Sequence, residues 1–162
     1  MKRILVIGCP GSGKSYFSRA LAEKLRLPLV HLDLLNWNDD GTNVERDVFD
    51  KRLDEVLASD EWIIDGNYGR TMESRMERCD AIFFLDFPTE VCLNGVRERK
   101  GKPRTDMPFD PPDSDDEEFM EFIRRYNEES RPKVLELLEK YSDRETVVFR
   151  DRDSVNDYLA KL

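Results

Sequence analysis

Residues 8–15 read Gly8-Cys9-Pro10-Gly11-Ser12-Gly13-Lys14-Ser15, satisfying the pattern GxxxxGK[ST] in full. The glycines let the backbone curl so that successive N–H groups point inward, and those donors, together with a helix N-terminus, form a fixed anion site. Such a cradle needs a strand before it and a helix after it. The apolar run RILVIG (3–8) supplies the strand, and the helical pattern from Ser15 to Arg26 supplies the helix. The octapeptide, with Tyr16 beside it, is expected to bind a nucleoside triphosphate, Lys14 reaching the β- and γ-phosphates and the Ser15 hydroxyl ligating Mg²⁺. Cys9 reads as a small residue at a tight turn, with a redox role as the alternative.

Outward from the cradle, four further apolar runs follow: LPLVHL (27–32), EWIIDG (61–66), DAIFFLDF (80–87) and TVVF (146–149). Each is short and continuously apolar, as strands covered on both faces should be. Helical patterns lie between them. Thr42 and Glu45 form a capping box ahead of Val44, Val48, Phe49, Leu53, Val56 and Leu57. EVCLNGVRERK follows FPT, and Ser114 with Glu117 makes a second box ahead of Phe119, Phe122, Ile123 and Tyr126. Pro132 is predicted to break or kink that helix, which Val134 to Tyr141 continues. A last helix starts at Ser154, with Val155, Tyr158, Leu159 and Leu162 on one face. The alternation predicts βαβ units in one domain over residues 1–162, with a parallel sheet and helices on both faces. Residues 100–116, KGKPRTDMPFDPPDSDD, hold four prolines and little periodicity. A stretch of this kind inside a compact domain is a functional loop or a disordered one, and it is read here as a lid.

The chain of 162 residues carries a net charge of −9, with 39% hydrophobic and 38% charged residues. That acidity argues against a passive grip on DNA or anionic lipid. The apolar runs are too short to span a bilayer, and the run after Lys2 and Arg3 is too short for a signal peptide. Three cysteines without CxxC spacing read as reduced thiols, giving an expected cytoplasmic location and no zinc site.

A strand ending in a carboxylate places Asp65, in WIIDG, where an acid can hold Mg²⁺ directly or through its water; a turn aspartate before glycine is the other reading. Asp86, at the end of FFLD, competes for the same role. His31-Leu32-Asp33 closes the second strand, and strand C-termini face the ligand crevice of an open parallel sheet. Asp33 is therefore expected either to contact an acceptor hydroxyl or to cap the LLNW turn. His31 reads as a packed strand residue, and Trp37 as a stacking surface or a plug.

WIIDGNYGRT resembles the DGFPRT segment of adenylate kinases, with altered middle residues and one insertion. HLDLLNW, WIIDGNY, DAIFFLDFP, RTDM and SRPK, in that order, resemble the bacterial topology modulation proteins, which are grouped with adenylate-kinase-like P-loop kinases. The resemblance runs from Met1 to about Lys133. It implies a three-layer α/β/α P-loop NTPase fold with a five-stranded parallel sheet ordered 2-3-1-4-5, and a short lid. It also implies arginine roles: Arg70 gripping an acceptor phosphate, Arg97 or Arg99 ending the helix before the lid, Arg104 within the lid and Arg131 after the next helix. Guanidinium forks match the equatorial oxygens on which charge builds during phosphoryl transfer. The loop from Phe149 to Ser154, with Arg150, resembles the adenine-binding loop. The expected activity is ATP- and Mg²⁺-dependent phosphoryl transfer to a nucleotide or another small molecule by a monomer. The alternative is a regulatory NTPase acting on a protein or DNA partner.

Overall fold

The computed structural model describes residues 1–103, 106–108 and 117–162. Along the chain run β1 (Arg3–Gly8), α1 (Lys14–Leu25), β2 (Leu29–His31), α2 (Leu32–Asn36), α3 (Arg46–Leu57), β3 (Trp62–Asp65), α4 (Gly69–Arg78), β4 (Ala81–Leu85), α5 (Thr89–Arg99), α6 (Glu117–Glu129), α7 (Arg131–Lys140), β5 (Glu145–Phe149) and α8 (Arg152–Ala160). The five strands form one sheet in the order β2-β3-β1-β4-β5, and every pairing is parallel. The predicted sheet order is the observed one.

Successive strand side chains point to opposite faces, and β1 shows the consequence. Ile4 and Val6 join Phe17, Leu21, Phe83, Ile123 and Val155 in one apolar cluster. Leu5 and Ile7 join Phe49, Leu53, Met76, Phe84 and Val134 in the other. Helices α1, α5, α6 and α8 thus cover one face, and α2, α3, α4 and α7 the other. Each fully buried aliphatic chain of β1 contributes roughly 1.5–3 kcal/mol relative to exposure. That burial explains why RILVIG reads as an unbroken apolar run.

The structure corrects several local expectations. The box at Thr42 and Glu45 does not cap a helix. Thr42 is taken up by a turn, its N–H and Oγ1 both donating to Asp40 Oδ1 at 3.0 and 2.6 Å, and α3 begins only after Glu45. A short extra helix, α2, follows β2 directly, so the connection to β3 holds two helices rather than one. Asp33 lies inside α2, whose N-cap is His31, and this removes the capping alternative. Strand β5 is not covered on both faces: Glu145, Thr146 and Val148 are exposed because it is an edge strand with only β4 beside it. Helix α8 begins at Arg152, two residues early, because the Asp151 side chain caps it by accepting from the Ser154 N–H at 2.7 Å. Pro132 does break the chain into two helices. It lies in the first turn of α7, where its missing N–H leaves no bond unmade. The expected box at Ser114 and most of the expected lid, Arg104 included, lie outside the described residues.

Candidate active site

Strand order reverses around β1, which lies between β3 and β4. In open parallel sheets, ligands bind beyond the strand C-termini at such a switch point. The loop from Gly8 to Ser15 leaves β1 there. Gly11 and Gly13 hold φ of 86° and 96°, in the left-handed region that glycine tolerates. A Cβ on Gly11 would stand 2.0 Å from the Cys92 carbonyl oxygen, and one on Gly95 would stand 2.1 Å from the Gly11 oxygen. The loop therefore packs backbone to backbone on α5, which no larger residue at 11 or 95 permits.

The Lys14 ammonium donates to the carbonyls of Gly8 and Cys9 at 2.9 and 3.3 Å. Burial pulls its pKa below the ordinary lysine value, and the charge of Asp65 opposes that shift. Cys9 and Cys92 are both buried free thiols. The hydrogen bond to Cys92, and then burial, push the Cys9 thiol up, which keeps it protonated.

The cradle opens into a cavity of about 1440 Å³, larger than the several hundred Å³ that one ligand of ordinary size fills. Lys14, Ser15, Tyr16, Asp33, Asp65 and Arg70 all line it, as do Arg97 and Arg99. Within α5, Arg97 donates to Asn94 Oδ1 at 3.2 Å, while the charge of Arg99 reaches Lys14. Arg70 donates through both terminal nitrogens to Asp50, at 2.7 and 3.2 Å. Asp65, at the end of β3, meets His31 Nδ1 at 2.7 Å; both side chains are buried. Asp33 accepts a short hydrogen bond from the Tyr68 hydroxyl. Burial and the Asp33 charge push that phenol above its ordinary pKa, so it stays a donor.

Arg131 and Arg150 are not among the residues lining the cavity. Both bind Asp86, Arg131 bidentately at 2.8 and 2.9 Å and Arg150 at 3.2 Å. Asp86, the competitor of Asp65, is thus occupied in an ion cluster between β4, α7 and the loop after β5. Arg152, two residues beyond Arg150, lines the cavity, with Nη1 3.9 Å from the place of a Cβ on Gly13.

Four residues with a part in the site, Arg75, Asn67, Tyr68 and Asp106, are given no role by the sequence reading. Arg75 of α4 is fully buried. Its guanidinium donates to the carbonyls of Gly66 at 3.1 Å, Tyr68 at 2.9 Å and Asn67. Burial pulls its pKa below the ordinary arginine value. The loop it holds carries Asn67, whose Oδ1 accepts from the Gly8 N–H at 3.2 Å, and Tyr68, which binds Asp33. Tyr68 has φ of 41°, a conformation that costs on the order of 1–3 kcal/mol and persists only when its surroundings enforce it. Phe49, with ring centroids 5.4 Å apart, and Arg75 provide those surroundings. A signal for Arg75 existed: with Met72 and Met76 it falls on one helical face at i, i+3, i+4. The fourth, Asp106, accepts from the Ser15 hydroxyl at 2.6 Å and is buried.

Ser15, Asp65, Asp33 and Asp106 are hard oxygen donors, as Mg²⁺ requires. Among the described residues, no group of three or more His, Cys, Asp or Glu could hold a metal ion. The donor set fits an ion that keeps water and phosphate oxygens as most of its ligands. Among the described residues, no helix is long and apolar enough to cross a membrane.

No protein-family model matches the chain. It is similar to a curated shikimate kinase of Sulfurihydrogenibium sp. (strain YO3AOP1), 24% identical over 126 residues, which cover 68% of this chain and 75% of that protein. Among solved structures, a shikimate kinase from Acinetobacter baumannii in complex with shikimate is similar, with TM-score 0.63, 17% identity, and 99% of this chain and 92% of that one covered. A shikimate kinase from Bacteroides thetaiotaomicron is also similar, with TM-score 0.55, 21% identity, and 99% and 95% covered. The fold is that of the P-loop kinases.

Proposed function

We propose that this chain transfers the γ-phosphoryl group of ATP, with Mg²⁺, to a hydroxyl of a small-molecule acceptor. The observation that carries this reading is that one cavity holds both the phosphate cradle, with Lys14 and Ser15, and Asp33, a carboxylate oriented by Tyr68. Phosphoryl transfer is mostly positioning and charge neutralisation, and both need donor and acceptor in one shared space. Asp33 uses one oxygen on Tyr68 and has lone pairs left to align an acceptor hydroxyl or take its proton. Lys14, Arg99, whose charge acts on Lys14, and Arg152, next to Gly13, are assigned to the phosphates, with Arg97 from the same cavity lining and Tyr16 at the nucleotide. Asp65, oriented by His31, is assigned to a metal-bound water together with the Ser15 hydroxyl. Mg²⁺, when bound, neutralises charge developing on the β- and γ-phosphate oxygens. Arg104 keeps its assigned lid role, while Arg131 reaches a phosphate only by exchanging Asp86 for it. Arg150 gives Asp86 one terminal nitrogen and is assigned to the nucleotide through the rest of its guanidinium.

Asp50 occupies both terminal nitrogens of Arg70. An anionic acceptor therefore competes with a carboxylate for Arg70. Neutral polyols and nucleosides come first among acceptors, with nucleoside monophosphates and shikimate, named in the Acinetobacter relative, tested beside them. The experiment is a metabolite panel with ATP and Mg²⁺, reading ADP release over basal hydrolysis. At least one acceptor is expected to accelerate it. If none does, and Asp33→Asn leaves basal hydrolysis unchanged, the regulatory NTPase of topology modulation type replaces the kinase.

A further inference from the structure

We propose that Asp106 is a metal-site residue, a second carboxylate that joins Ser15 around the Mg²⁺ of the nucleotide complex. The inference rests on the nucleotide-binding reading above but not on the identity of the acceptor. Ser15 is the hydroxyl that the GxxxxGK[ST] pattern assigns to the metal. Asp106 Oδ2 lies 2.6 Å from its Oγ. Neighbouring oxygens around an octahedral Mg²⁺, with bonds of 2.0–2.1 Å, stand about 2.9 Å apart. The two oxygens are thus within a few tenths of an ångström of that spacing.

Burial supports the same assignment. Asp106 is only 6% exposed and lines the cavity that holds Lys14, Asp33 and Asp65. Sequence position adds a consequence. Asp106 is some ninety residues from Ser15 and belongs to the segment after α5, whereas Ser15 opens α1. An ion shared by the two would tie these distant segments together, so metal occupancy and the position of residues 106–108 would be coupled. Metal entry requires the Ser15 proton, now donated to Asp106, to turn to another acceptor, so that both oxygens present lone pairs.

The test is Mn²⁺ binding to the ADP complex, followed by electron paramagnetic resonance, with ADP binding in EDTA measured by calorimetry. Asp106→Asn should weaken Mn²⁺ binding tenfold or more and leave metal-free ADP affinity within about twofold of the wild type, in the range that ligand-shell substitutions produce. Asp106→Ser is read in the same way should the Asn variant fail to fold. Mn²⁺ affinity unchanged in a folded variant that binds ADP overturns this inference alone. A wild-type chain that binds no ADP overturns the proposed function and this inference with it.

Discussion

Asp33 shows how one side chain can carry two constraints. It must face the cavity, and it must hold one orientation. The first comes from its place just past β2; the second comes from a tyrosine 35 residues away, bonded to its Oδ1. Asp33→Asn keeps the shape and removes the charge. ATP affinity should survive, while transfer to the best acceptor falls roughly 10²-fold, the contribution expected of a positioned base. Single-turnover kinetics at saturating ATP checks this, and undiminished transfer would remove Asp33 from the mechanism. Arg70→Ala separates acceptor classes at the same scale. It should raise KM for an anionic acceptor and change little for a neutral one, because Asp50 already satisfies the guanidinium.

At the scale of elements, the site hangs on two contacts between segments. One is the backbone contact between the cradle and α5. Gly11→Ala places a methyl 2.0 Å from the Cys92 carbonyl and forces a non-glycine residue to φ of 86°. The cradle has to shift, so nucleotide binding should be lost even if the protein still folds; ADP calorimetry on the folded variant decides it. The other is α4 beneath the loop 66–68. Arg75→Met retains an apolar stem but strips donors from the Gly66, Asn67 and Tyr68 carbonyls. Each buried acceptor left unpaired costs about 1–3 kcal/mol, so the three sum to roughly 3–9 kcal/mol, less the desolvation of the guanidinium that the variant no longer bears, and a clear loss of stability is expected in urea unfolding. Because the loop carries Tyr68 to Asp33, acceptor KM should rise with it. A variant as stable as the wild type would mean that water replaces the guanidinium.

The whole molecule combines an acidic exterior with a cavity lined by Lys14, Arg19, Arg99 and Arg152. Charge is therefore distributed to attract phosphate into the cleft and repel nucleic acid elsewhere. ADP or ATP at a hundredfold excess over Kd should stabilise the fold by about 2.7 kcal/mol, raising Tm by roughly 5–10 °C for a chain of this size. Lys14→Ala should remove most of that shift, and a melt unmoved by millimolar MgATP would contradict nucleotide binding altogether. Labelled duplex DNA should show no anisotropy change at micromolar protein in 0.15 M salt, and tight binding would revive the regulatory reading.

The cradle and the five strands were legible in the sequence because each is a local signal: glycine spacing, continuous apolar runs and the alternation of strand with helix; the order of the strands followed from the family resemblance and not from any local signal. Asp33 and Asp65 were legible for the same reason, since a strand's C-terminal end in a parallel sheet faces the crevice whatever lies beyond it. Tertiary structure alone decided which polar groups meet. Arg75, a charged residue in the polar run SRMER, becomes a buried strut only because loop 66–68 turns three carbonyls toward it. Arg131 and Arg150 turn to Asp86, and Arg70 to Asp50, because a guanidinium pairs with whichever carboxylate the fold brings within reach. The meeting of Asp106 with Ser15 has no local trace at all. Periodicity records which face of an element is buried. It does not record which distant side chain arrives there, because that depends on how the helices and loops pack over the sheet.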